Sequence, residues 1–511
     1  MTKWTTAPAK RLYTYLVILF VITFLLRLVL LGYYRPDYGG IDMNVIYGIQ
    51  RLVQGQPLYQ NPQQPMYAVI QYTPLFYHCC AGLARLLRVD GLDVQGLYVI
   101  ARSLALACNV LMLALAALML RSWRFTWRQS LVFALPLLMM LTTHYYLRGD
   151  SMHLLFFTAA MYMMVLFIRH NAWYYIIAAA LFSACCILCK QSGMLCAGII
   201  GAYLLLVERK FLATVLYGVC FLLFTYSILS WLVAGNWVNL YENAWLGLKN
   251  GIDLSFLYTI FTSQFYYDLI PCYFLGGILV YTAIVRSRDR QYRFLAMGAA
   301  LSFLFAVVTG LKIGSSNNYF TEFLFFVLLA LPWLLEADFG GQLLFRVRRY
   351  AVTIRRYAVI ALVILTASKT LGFFTSMYLE RRIVSEPDRY ARDQQLFRYF
   401  HDTLHLRQGE YIYFNESSFL NNIFIGYSII ATKDVVSQVY LSNAHTYDYS
   451  RFISGMNQGL VRYIVVPEGD FTINRFEKEI PFIRFDPARF RLLTEVAGYR
   501  IYEFSGHLAT R

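Results

Sequence analysis

The sequence predicts a mainly α-helical membrane protein: a polytopic bundle of about eleven spans, then a small extracytoplasmic α/β domain. Three observations predict it. Of 511 residues, 59% are hydrophobic and only 14% are charged, well above the apolar share of a soluble domain. Apolar runs of roughly 18 residues or more, long enough to cross a bilayer, recur along the first three quarters. Beyond residue 376 charges of both signs appear and the spans stop.

The expected spans lie near 13–33, 97–120, 129–147, 152–169, 173–189, 192–207, 211–233, 267–285, 294–310, 319–335 and 358–376. The opening "MTKWTTAPAKRLYTYLVILFVITFLLRLVLLGYY" has a basic tip. Its apolar run is too long for a signal-peptide core and lacks a small-residue cleavage site, so it reads as the first span. Alternate connections carry the basic residues: Lys3, Lys10 and Arg11, then "RSWRFTWR" (121–128), "RH" (169–170), "ERK" (208–210), "RSRDRQYR" (286–293) and "RVRRYAVTIRRY" (346–357). Basic loops stay in the cytoplasm, which puts the N-terminus inside and residues 377–511 outside. The same retention accounts for the net charge of +16, so no nucleic-acid partner is inferred from it. Aromatic residues, 17% of the chain with 41 Tyr, suit membrane interfaces and sugar-binding surfaces alike.

The remaining connections then face outward: 34–96, "YYLRGD" (145–150), "KQSG" (190–193), 234–266 and "KIGSSNNYF" (312–320). Loop 34–96 is too long for a simple connection. Within it "MNVIYGIQRLVQG" has helical period, with Asp42 as a fitting N-cap. "YTPLFYHCCAGLARLL" reads as an amphipathic or re-entrant helix starting at Pro74, with Arg85 and Arg88 at its wet end. Together they shape a cavity above the bundle.

The candidate chemistry collects on this face. Asp42 is either a cap alone or a carboxylate that takes a proton from an acceptor hydroxyl. Asp150 heads the fourth span, where an Asp also suits a helix N-terminus. Lys190 closes the fifth, where a Lys also satisfies the dipole and snorkels. Arg148, Lys190 and Lys312 are nevertheless conspicuous on a face with few cations, and suit a phosphate group. Asn317, Asn318 and Glu322 add hydrogen-bonding capacity. Arg27, inside the first span, is a functional candidate or a snorkelling residue. All nine Cys precede residue 273. "CCILC" (185–189) contains a CxxC, read first as small helix-packing residues. The tail has no Cys and so no disulfide framework.

Taken in order, these features resemble the GT-C superfamily of membrane glycosyltransferases, and within it the bacterial branch of the aminoarabinose transferase to lipid A and the protein mannosyltransferases. The resemblance rests on "GGIDMNVIYGIQRLVQGQPLY", "YTPLFY", "YVIARSLAL", "LRGDSMHLLF", "CKQSG" and "LKIGSSNNYFTEF", and covers roughly residues 10–335. It implies a transferase of the hexosyl or pentosyl class in the bacterial plasma membrane. Its donor would be a polyprenyl-phosphate-linked sugar. Its acceptor would be an envelope glycan, lipid or protein, glycosylated on the outer face with inversion. It assigns the general base to Asp42 and shaping of the acceptor or cation site to Asp150. Lys190 and Lys312, with Arg148, match a donor-phosphate site; Gln191, Asn317, Asn318, Tyr319 and Glu322 fall in the substrate-binding motifs. No cofactor is implied. The carboxylate pair of metal-dependent oligosaccharyltransferases is absent, since Ser151 and Met152 follow Asp150, so no metal is expected. "YTP" also replaces the usual "PP" before the surface helix.

In the tail, "DRYARDQQLFRYFHDTLHL" and "SSFLNNIFIG" read as helices, "EYIYFN" and "RYIVVPEG" as strands, and "RLLTEVAGYRIYEF" as a hairpin. "NES" at 415 is a formal glycosylation sequon. The domains expected are 1–376 and 377–511. A lipid-linked-sugar transporter or flippase, or a non-catalytic scaffold of this fold, are the alternatives. No internal repeat of the transporter kind is evident.

Overall fold

The computed structural model describes residues 41–123, 149–249, 251–262, 270–286, 289–313, 317–336, 389–414, 420–429, 461–467 and 487–505, with isolated positions between them. The expected spans 129–147 and 358–376 lie almost wholly outside the described residues, as do Arg27 and Arg148.

Two helices build the first long loop: α1 (Ile41–Val53) and α2 (Leu75–Leu86). Asp42 sits inside the first turn of α1, not at its cap. The bundle follows with α3 (Val94–Ser122), α4 (Asp150–His170), α5 (Trp173–Cys189), α6 (Met194–Ala202, prolonged by a wide turn to Val207) and α7 (Phe211–Val233). Then come α8 (Leu254–Thr262), α9 (Ile270–Arg286), α10 (Arg290–Gly310) and α11 (Thr321–Glu336). Four described helices, α3, α4, α7 and α10, are long and apolar enough to cross a membrane, and shorter apolar helices cover 173–189, 191–207, 272–284 and 318–331. The count of about eleven is therefore not reached among the described residues.

Local chemistry sets the ends. Asp93 caps α3 by accepting from Gly96 N at 2.9 Å, and Asp289 caps α10 by accepting from Gln291 N at 2.8 Å. Asn171 ends α4 in the left-handed region at φ 55°. Aromatic rings lock the interior: Phe157 of α4 meets Phe325 and Phe326 of α11 edge-on at 5.4 and 5.7 Å.

The basic turns touch one another at one end of the bundle. Arg169 Nη1 donates to Ser122 O at 2.9 Å, Lys210 to Asn171, and Arg290 Nε to Glu208 Oε1 at 2.7 Å. The opposite end is stitched by the long loop. Thr73 Oγ1 donates to Ile187 O at 2.8 Å, Gln71 Nε2 to Gly247 O at 2.7 Å, and Asn243 Nδ2 to Gln60 O at 2.7 Å.

In the tail, helix α12 (Arg389–Arg398) precedes a sheet of order β1-β2-β4-β3. Its strands are β1 (Tyr411–Phe414), β2 (Val461–Pro467), β3 (Phe490–Val496) and β4 (Tyr499–Phe504). β1 runs parallel to β2, and β4 is antiparallel to both β2 and β3. Ala497 and Gly498, both at positive φ (53° and 77°), make the tight β3–β4 turn. The sheet shares its core with the long loop: Ile46, Ile49 and Phe76 belong to one buried cluster with Phe400, Phe414, Phe424 and Ile501. A buried amide clasp joins them. Gln50 Nε2 donates to Asn422 O at 3.0 Å, and Asn422 Nδ2 donates to Gln50 Oε1 at 2.9 Å and to Met43 O at 3.1 Å.

Candidate active site

Two glycines bring the functional helix ends together. A Cβ on Gly149 would stand 2.7 Å from the Cys189 carbonyl oxygen, and one on Gly193 would stand 2.4 Å from the Cys186 backbone. Neither position admits a side chain, so the start of α4 packs directly against the end of α5. Asp150 opens α4. Lys190 leaves α5 in an extended conformation, φ −157° and ψ 138°, which turns its side chain back over the helix end. Lys190 Nζ donates to Asp150 Oδ1 at 2.6 Å and lies 5.8 Å from the centre of the Tyr319 ring.

One turn further into α4, on the same face, lies His153. Its Nε2 is 2.8 Å from Glu322 Oε1, in the first turn of α11. Its Nδ1 is 3.4 Å from Cys186 O and 3.3 Å from Cys186 Sγ. Asp150, His153, Lys190, Asn318, Tyr319 and Glu322 line a single cleft of about 490 Å³, counting the part open to solvent, with Asn109 of α3. Asn109 is 2% exposed, and its Oδ1 has no hydrogen-bond partner among the described residues. Such an orphaned acceptor at a cleft wall is what a polar ligand would satisfy.

The two lysines differ electrostatically. Burial works against charge on Lys190, but Asp150 beside it more than offsets this and raises its pKa, so it stays an ammonium. Lys312 is pinned where Asp253 N donates to Leu311 O at 2.8 Å and Ile313 N to Gly251 O at 3.2 Å. Burial, with the charge of Lys190 added, lowers its pKa to about 8. Lys312 does not line the cleft itself, but its charge acts on the same region.

The remaining expected residues fall as follows. Gln191 commits its amide N–H groups to Gln71 O (2.6 Å) and Ala244 O (2.8 Å), so it braces the wall. Asn317 lies in the tight turn Asn317–Phe320 before α11. Asp42 is 7% exposed and does not line the cleft. It is on the same end of the bundle, next to Asn44, whose Nδ2 donates to Val69 O at 2.8 Å. Among the described residues no three His, Cys, Asp or Glu side chains converge as a metal ion requires, and Asp150 is occupied by a lysine. The sequence reading missed His153 and Asn109. Each had a signal, as a lone polar side chain within an apolar span.

The fold has known counterparts. The apo oligosaccharyltransferase of Archaeoglobus fulgidus superimposes with a TM-score of 0.52 at 13% identity, over 88% of this chain and 69% of that one. The chain thus shares its overall fold with that oligosaccharyltransferase structure. The AglB structure from the same organism, in complex with an inhibitory peptide and a dolichol-phosphate, matches at a TM-score of 0.50 and 12% identity, over 89% of this chain and 69% of that one. The mycobacterial arabinofuranosyltransferase AftD matches at 0.50 and 13% identity, over 97% of this chain but only 40% of its own length. At such identities the likeness is one of fold. No family model matches the sequence, and no curated protein matches it.

Proposed function

We propose that the chain is a membrane glycosyltransferase. It moves a sugar from a polyprenyl-phosphate carrier to a hydroxyl of an envelope glycan, lipid or protein, on the face away from the basic turns. The observation that carries this reading is the Lys190–Asp150 pair, with Lys312 acting on the same cleft of a GT-C bundle. The A. fulgidus neighbour holds a dolichol-phosphate, a lipid phosphate of the class proposed here.

The chemistry needs a fixed positive field where the leaving group forms. As the acceptor oxygen bonds to the anomeric carbon, the bond from that carbon to the phosphate oxygen breaks. The electron pair goes to the polyprenyl phosphate, and the ring passes through oxocarbenium character. Lys190, held charged and aimed by Asp150, and Lys312 stabilise that phosphate. The acceptor proton goes to a carboxylate, for which Asp42 is the candidate. Asp42 stands outside the cleft lining, in the first turn of α1 at the same end of the bundle. Asn109, Asn318 and Glu322 offer hydrogen bonds to the hydroxyl-rich sugar or acceptor.

The decisive experiment is mass spectrometry of envelope glycans and lipid-linked sugars from wild type, a deletion, and Asp42→Asn at normal expression. Loss of one sugar in both mutants, with its lipid-linked donor accumulating, is the expected result. Full restoration by Asp42→Asn would reduce Asp42 to a structural residue and move the transporter or scaffold reading ahead.

A further inference from the structure

A second cavity opens at the same end of the bundle and shares no lining residue with the Asp150–Lys190 cleft. It holds about 720 Å³, again counting open solvent, between the end of α1, the wet end of α2 and the end of α7. Leu52, Leu58, Leu232 and Val233 make apolar walls, and Gln56, His78, Arg85 and Asn236 are among its polar side chains.

Arg85 provides the fixed charge. It lies two turns after His78 on α2, hence on the same face, and its guanidinium is anchored by donating to Leu52 O. His78 Nε2 is buried with no hydrogen-bond partner among the described residues. Burial pulls the His78 pKa below the ordinary value, with Arg85 adding to the effect and a hydrogen bond with the Leu232 backbone opposing it. The cavity therefore combines one permanent cation, one neutral imidazole and apolar walls.

Its rim marks a membrane level. Leu86 and Leu87, directly after Arg85, are 77% and 63% exposed, and Trp231, directly before Leu232, is 78% exposed. Tyr226 stacks on Trp237 with centroids 6.0 Å apart, and both are exposed. Exposed Trp and Tyr beside exposed Leu belong at the boundary between headgroups and acyl chains. Along α7, Val215, Val219, Leu222 and Leu223 continue an exposed apolar stripe from that boundary.

We propose that this cavity binds an anionic glycerophospholipid from the adjoining leaflet, its headgroup phosphate on Arg85 and an acyl chain along α7. Charge complementarity chooses this occupant over a neutral lipid. The site is separate from donor chemistry and needs no turnover to be detected, so its test is independent of the glycosyltransferase reading.

Native mass spectrometry of the full chain with phosphatidylglycerol or phosphatidylcholine at equal concentration tests it. Wild type is expected to carry phosphatidylglycerol adducts preferentially. Arg85→Gln should weaken them about tenfold, the scale of one charge-assisted phosphate contact. Gln56, an exposed side chain of the lining, gives variants that leave the core intact: Gln56→Glu should reduce the adducts and Gln56→Lys should raise them. Equal adducts for both lipids, or no response to the Gln56 pair, would overturn the proposal. Displacement of the adduct by inorganic phosphate would also overturn it, assigning the site to a soluble phosphate.

Discussion

At Lys312 stability and binding pull in opposite directions. Burial and the neighbouring charge of Lys190 lower its pKa to about 8, below the value of an unfolded chain. Between that value and the ordinary lysine pKa the folded chain binds fewer protons, so the Lys312 contribution to stability improves as pH rises through this window and is least favourable below about 8. Phosphate binding needs the ammonium and runs the other way. Donor affinity is therefore expected to fall as pH rises past about 8, by up to about tenfold, while Lys190 keeps its charge. Lys312→Arg, whose guanidinium does not titrate there, should flatten the profile. Donor KM measured across the range checks both; a profile identical in the two proteins would remove Lys312 from the phosphate site. Lys190 and Asp150 were legible because charges at helix ends on a cation-poor face stand out in the sequence. The pairing of His153 was not, because its partner Glu322 is 169 positions away and only folding joins them. Gln191 is the converse: its motif was legible, but its side chain serves the wall.

Among elements, the His153–Glu322 contact crosses from α4 to α11 at the inner end of the cleft. Both side chains are buried, at 3% and 7%, so removing one leaves the other unsatisfied. His153→Leu alone, or Glu322→Leu alone, is expected to cost about 1–3 kcal/mol. The double substitution should cost less than the sum of the two, measured by thermal unfolding in one detergent; strict additivity would mean that the pair does not couple the helices. The helices of the bundle were legible where apolar runs were long, since length and composition carry that signal. α8 was not, being nine residues of "LSFLYTIFT" inside an expected loop. Its start signal, Asp253 accepting from Ser255 N at 2.8 Å, is too short-ranged to stand out.

For the molecule as a whole, the change of composition after residue 376 divides the sequence but not the core. The strands of the tail were legible from alternation and β-branched residues. Their packing against α1 and α2 was not, because apolar faces do not name their partners. Phe400, Phe414 and Phe424 pack in one cluster with Ile46 and Phe76. Residues 377–511 expressed alone would bare that face, and are expected to be aggregated or molten. Size-exclusion chromatography and near-UV circular dichroism check this; a monodisperse, well-packed fragment would make the tail an independent domain.

The amide clasp between Gln50 and Asn422 spans 372 positions of chain. During synthesis α1 emerges before the bundle helices, yet the residue that completes its hydrogen bonds follows α11. The end of the bundle that carries the cleft therefore remains unfinished while the later helices of the bundle are made. Closure of that end is thus timed by the ribosome's progress through the intervening bundle.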